Sequence, residues 1–201
     1  SYEQHFKDHD RIYRMYTKME INGKEERFAR TSPPIVIDLA HEQPEIEAVT
    51  RFVSPPEVEQ NIVRHGDKVF YEKSGVLVDS SFFDVFPYEL REGDLNTALD
   101  APSTVVITET LNNKIFGDKS GMDELLIINS GRSTDTFRVT GIIKKTPTRS
   151  HVNADFYMTM NSRGWGRWIM SEHTWAWNNF MGSYLNLKPG APAKDLEAKL
   201  P

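Results

Sequence analysis

The sequence predicts an α+β fold of two lobes, a strand-and-helix lobe interrupted by an inserted strand-rich lobe. Three observations carry that reading. Period-two alternation of apolar and polar side chains recurs along the chain, and only a few stretches show helical spacing. The pattern changes character near residue 87 and again near 151, with short strands around one helix between those points. No segment repeats at a fixed period, which sets solenoids and propellers aside. Hydrophobic residues at 38% and charged residues at 26% of 201 positions supply a sizeable core and exclude the disordered class.

In the first lobe, Tyr13, Met15, Met19 and Ile21 share one face opposite Arg14, Lys18 and Glu20, which predicts a half-buried strand over 12–21. Asn22-Gly23 is a tight-turn dipeptide, so 24–30 returns antiparallel. Ser32 is the expected cap of a helix that opens on Pro33 and stops at Pro44, with Ile35/Leu39 and Val36/Ala40 on its core face. Strands follow over 46–53, 58–63 and 69–78.

The middle region reads as short strands over 88–94, 104–108, 124–128 and 136–144. One helix lies among them, capped by Thr108, presenting Leu111, Ile115 and Phe116, and stopped by Gly117. Alternation resumes over 153–160, with Phe156, Met158 and Met160 on one face. A Gly/Trp-rich loop then leads to a strand near 182–188, and Pro192 opens a last helix carrying Leu196 and Leu200.

Several chemistries are excluded. A formal charge of −5 without a basic stripe argues against a nucleic-acid partner. The absence of cysteine removes disulfides, thiol catalysis and cysteine-based zinc sites. No apolar run is long enough for a membrane helix. His5 and His9 stand one helical turn apart but lack a third metal ligand, and His41-Glu42 lacks the second histidine of a zincin helix, which Pro44 would break. Ser150, His151 and Asp155 are triad residue types without a nucleophile elbow, and they read better as a rigid turn with Pro147. Trp165 between Gly164 and Gly166 blocks the backbone approach that a phosphate loop needs. We therefore expect no catalytic residue, cofactor or metal.

Trp165, Trp168, Trp175 and Trp177 crowd one short stretch beside Met170 and Met181. Two readings stay open. The rings either cover the end of the sheet as a satellite core or form a recognition surface, because tryptophan buries much area at small entropy cost. Arg163 and Arg167 are placed to stack on them in either case.

The most distinctive block is Asp79-Ser80-Ser81-Phe82-Phe83-Asp84-Val85-Phe86 with Gly93-Asp94 behind it. Phe82, Phe83 and Phe86 make one helical turn with a heavy aromatic face, which Ser80 or Ser81 can cap. This block resembles the D-x-x-F-F-D-V-F signature of the MacB-like periplasmic core domain of FtsX-type ABC transporter permeases. Further segments resemble the family in order. They include Arg11-Ile12-Tyr13-Arg14, Val105-Val106-Ile107-Thr108, Phe116-Gly117-Asp118, Gly141-Ile142-Ile143, Pro147, His151 and Leu187-Lys188-Pro189-Gly190. Two stretches depart from it: Ser120-Gly121-Met122-Asp123 replaces the usual P-I-G-K, and the region from Trp165 to Trp177 matches nothing general in the family.

The resemblance implies a porter-like lobe over 1–86 and 152–201, C-terminally truncated, and an inserted sabre-like lobe over 87–151. Hinges are expected near Phe86-Pro87 and 147–151. It further implies a non-catalytic periplasmic domain of an inner-membrane permease, with membrane helices flanking it in a longer parent chain. The implied partners are a cytoplasmic ABC ATPase, a second permease copy or half, and a periplasmic adaptor or a substrate peptide or lipid. The alternative is a peptide- or lipid-binding sensor that uses the Trp-rich stretch.

Overall fold

The computed structural model describes residues 9–55, 59–131, 133–144, 152–175 and 178–200. A 3-10 turn, His9–Arg11, leads into β1 (Ile12–Arg14), and the hairpin β2 (Thr17–Ile21) and β3 (Lys24–Phe28) follows. The hairpin turns on Asn22 and Gly23, both at positive φ (53° and 74°), as the two-residue turn requires. The single half-buried strand expected over 12–21 is corrected. The chain leaves the main sheet at Met15, and Met19 and Ile21 sit exposed on the hairpin rather than on a core face. α1 (Ile35–Glu42) buries Val36 and Leu39. Ser32 does not cap it: the buried hydroxyl donates to the Trp175 carbonyl at 2.9 Å, and Pro34 holds the cap position without a side-chain bond.

β4 (Ile46–Val53), β5 (Asn61–His65), β6 (Lys68–Glu72) and β7 (Gly75–Val78) come next. The strand expected over 69–78 is therefore two. Lys73 and Ser74 carry the chain from β6, at the sheet's edge, to β7 near its middle. α2 (Phe82–Val85), β8 (Leu90–Gly93), β9 (Thr104–Thr108) and α3 (Glu109–Phe116) follow. Thr108 Oγ1 caps α3 by accepting from Leu111 N at 3.2 Å, and Gly117, at φ 67°, ends it. The chain closes with β10 (Leu125–Asn129), β11 (Thr134–Ile143), β12 (Phe156–Thr159), α4 (Trp165–Met170), β13 (Gly182–Leu187) and α5 (Ala193–Glu197). α4 corrects the loop expected there. Gly166 lies inside the helix because a Cβ would stand 2.5 Å from the Met160 carbonyl oxygen.

Among the described residues, all strands except the β2–β3 hairpin join one mixed sheet, ordered β1-β13-β4-β7-β12-β9-β11-β10-β5-β6, with β8 on β11. β7 runs parallel to β12 and β9 to β11; the other pairs are antiparallel. This is an α+β architecture. α2 and residues 86–103 cover one face, over Val78, Val106, Tyr157 and Tyr184. α3 and α4 cover the other face over Leu77, Ile107 and Phe156, and α1 and α5 continue that layer over Leu185 and Leu187.

Two glycines mark where a ring lies flat across a strand. A Cβ on Gly75 would stand 2.2 Å from Phe156 Cζ, and one on Gly182 would stand 2.3 Å from Phe52 Cε1. Gly75→Ala is expected to lower stability by about 1–3 kcal/mol through overpacking, read from the denaturant midpoint. An unchanged midpoint would show that the Phe156 ring can move aside without cost.

Candidate functional site

The signature block occupies the crossing from the sheet's centre to the segment that covers it. α2 is a single turn, and its rings form a continuous cluster. The Phe82 centroid lies 5.3 Å from Phe83, 5.0 Å from Phe86 and 5.3 Å from Tyr157. Phe86 meets Tyr184 edge-on at 5.1 Å. Phe82, Phe83 and Phe86 are all buried. The hydroxyls of Tyr88 and Tyr157 are satisfied inside the cluster. Tyr88 Oη donates to the Val152 carbonyl at 2.7 Å, and Tyr157 Oη donates to Tyr88 Oη at 3.1 Å. The rings thereby fasten residues 86–88 to β12 and β13.

Neither serine caps α2 through its side chain. Ser81 Oγ instead donates to the Val49 carbonyl at 2.6 Å, tying the turn to β4. Asp79 is clamped on the opposite face of the sheet. Its carboxylate takes Arg51 Nε at 2.9 Å, Arg51 Nη2 at 2.8 Å and the Arg51 backbone N–H at 2.8 Å. Arg51 Nη1 donates to the Pro33 carbonyl at 2.7 Å. Both side chains are largely buried, so this is a charge pair with its hydrogen-bonding capacity filled from several directions. Sequence reasoning missed Arg51. The signal was a guanidinium beside the apolar pair Phe52-Val53 in the buried half of β4. Asp84, at the outer end of the turn, has its carboxyl pushed above the usual range, first by lost solvation and then by the charge of Asp100.

The other signature residues are dispersed. Gly93, at φ 99°, lies against the backbone of 140–141, where a Cβ would meet Thr140 O at 2.6 Å. Gly141 packs under Val106. Phe116 meets the edge of His65 at 4.8 Å, and Gly117 ends α3. Pro147, Ser150, His151 and Trp177 lie outside the described residues, as does His5.

The Trp-rich stretch builds a ridge. Trp165 and Trp168 both stack on Phe180, at 6.2 and 5.7 Å between centroids. Trp165 reaches the core beneath, whereas Trp168 is 44% exposed and Trp175 46% exposed. Trp175 Nε1 donates to Asp38 Oδ2 at 2.8 Å. A groove of about 620 Å³ runs beside the ridge, lined by Arg30, Val53, Pro55, Trp165, Trp168 and Phe180. Arg163 and Arg167 make no ring contact among the described residues; Arg14 does, over Tyr16 and Tyr184. Among those residues no three His, Asp or Glu side chains gather around a common point suited to a metal. No helix there is long and apolar enough to cross a membrane.

The model of the MacB-like periplasmic core domain matches residues 1–201. The chain belongs to that family. Solved structures of other permease and transporter domains share the fold. A domain of a permease protein from Porphyromonas gingivalis is 24% identical, with TM-score 0.76, over 97% of this chain and 83% of that one. The periplasmic region of MacB from Actinobacillus actinomycetemcomitans is 18% identical, with TM-score 0.58, over 84% and 71%. The extracellular domain of the noncanonic ABC-type transporter YknZ from Gram-positive bacteria is 14% identical, with TM-score 0.57, over 93% and 86%. No curated protein matches the chain significantly.

Within this MacB-like core domain the aromatic cluster has a measurable weight. Phe82→Ala and Phe86→Ala are each expected to cost about 3–5 kcal/mol, because both rings are fully buried and the cavity cannot collapse between sheet and turn. Chemical denaturation checks this; unaltered midpoints in both variants would show that the turn is not part of the core.

Proposed function

We propose that this chain is the periplasmic domain of an ABC transporter permease. In this reading it passes movement between membrane helices outside residues 1–201 and whatever it contacts beyond the membrane. The family match over the whole chain carries the reading. The permease, MacB and YknZ structures that share its fold support it. The ATP hydrolysis is then done elsewhere, by a cytoplasmic ATPase acting with a second permease copy or half, and the domain itself is not an enzyme. The parts it contacts are an adaptor or an exported peptide or lipid.

The architecture suits such a role mechanically. β1 and α5, near the two ends of the chain, both lie at the β13–β4 end of the sheet. Force entering there meets one hydrogen-bonded sheet that continues to β5 and β6. We take 1–86 with 152–201 as a porter-like lobe and 87–151 as a sabre-like insert, with Phe86-Pro87 as one crossing; the other one expected, 147–151, lies outside the described residues. Exposure of Trp168 and Trp175 beside the groove favours a second reading, a sensor module that grips a peptide or lipid on the Trp ridge.

The parent gene is expected to encode apolar segments of about 20 residues on both sides of this domain. In vesicles holding the permease and its ATPase, replacing residues 12–200 by a short Gly/Ser linker should preserve ATPase binding and abolish transport. Soluble sequence on both flanks, or transport that survives the replacement, contradicts the reading.

A further inference from the structure

Among the described residues, the far end of the sheet, formed by β11, β10, β5 and β6, is covered on one face only. α3 and its neighbours bury Val63, Leu126, Ile128 and Phe137 on that side. On the other side, residues 86–103 reach along β11 as far as Thr140, whose hydroxyl donates to the Ala98 carbonyl at 2.6 Å. Beyond that point the outward side chains stand bare. Leu125 and Ile127 of β10 are 55% and 42% exposed, and Val69 and Tyr71 of β6 are 45% and 59% exposed. β5 lies between them and presents Ile62 opposite Tyr71. Alternation places these side chains on one surface.

Two cations interrupt the apolar strip. Arg64 stands in register between Ile127 and Val69, and Arg138 lies opposite Leu125. No carboxylate occupies an outward position on these four strands. Glu124 faces the covered side, where it meets His65 at 3.0 Å. Neither Arg64 nor Arg138 has an ion-pair partner among the described residues. A chain of net charge −5 thus carries a locally basic apolar face. A second copy docked face to face would bring guanidinium groups together with nothing to answer them. Arg64 lies inside the apolar strip and Arg138 borders it on the β11 side, so the counter-charge to Arg64 must enter the contact itself. The face is about 14 Å from β11 to β6 at ordinary strand spacing, and a helix is about 10 Å across.

We propose that this face docks an amphipathic helix of a partner protein. The helix sets its apolar stripe on Leu125, Ile127 and Val69, and its Glu or Asp side chains pair with Arg64 and Arg138. The site goes beyond the permease reading, and its test does not involve transport.

The probes are fluorescein-labelled helical peptides of about 18 residues with a leucine stripe, flanked by glutamates in one set and by lysines in the other. Titrated with the 201-residue chain, the acidic set is expected to bind about tenfold more tightly than the basic set. Its affinity should fall about tenfold or more in Arg64→Glu/Arg138→Glu, and again in Ile127→Asp. These positions are exposed, and an unchanged melting temperature verifies folding; Arg64→Gln serves where the reversal does not fold. No binding, equal binding of the two sets, or affinity unmoved by the substitutions overturns the proposal. So does binding to phosphatidylglycerol vesicles that the double reversal abolishes while peptide is ignored, which would assign the face to a membrane. Dimerisation lost in Ile127→Asp would assign it to a second copy and likewise overturn the proposal.

Discussion

The structure depends on how β4 is held to β7. That seam divides the sheet into β1-β13-β4 on one side and β7 with everything beyond it on the other. The strands themselves pair only at Phe52↔Val78 and Val53↔Leu77. The Arg51–Asp79 clamp lengthens this short seam by a further rung. Asp79 N donates to the Arg51 carbonyl at 3.1 Å, while the Asp79 carboxylate takes the Arg51 N–H and guanidinium. A buried ion pair generally contributes little net stability, because desolvating two charges offsets their attraction. Here its larger effect is on arrangement. With the charge matched and each donor directed, the pair enforces one register and one exit direction for the chain, straight into α2.

The aromatic cluster secures the same seam from the opposite face. Phe82 and Phe86 pack across Tyr157 of β12 and Tyr184 of β13, which lie on opposite sides of the β4–β7 junction. Tyr88 then anchors the covering segment to Val152. The short stretch Phe82–Tyr88 therefore links β12, β13 and the segment that closes the face. That explains why a motif with no reactive group can be the most distinctive block in the chain.

Local signals in the sequence translate well into structure. Asn22-Gly23, Thr108 at the start of α3, Gly117 at its end and the bounds of β4 and β9 all follow from chemistry within a few residues. What stays hidden depends on distant partners. Ser32 and Ser81 are sound capping residues in isolation, yet both hydroxyls are claimed by carbonyls far along the chain, those of Trp175 and Val49. The run over 69–78 has continuous strand chemistry, and only the sheet order reveals that β6 and β7 lie far apart. α4 is concealed by Gly164 and Gly166, which read as loop residues until the carbonyl of Met160 shows why no side chain fits at 166. In the candidate site the aromatic half was legible, since its spacing lies within one turn. The Arg51 half was not, because 28 residues separate it from Asp79.

Native-state hydrogen exchange on Asp79→Ala tests this account most directly. If the clamp holds the seam, amides of β4 and β13 lose protection together, while those of β9 and β11 keep most of theirs. Protection lost equally on both sides of the seam, or retained throughout, would contradict it.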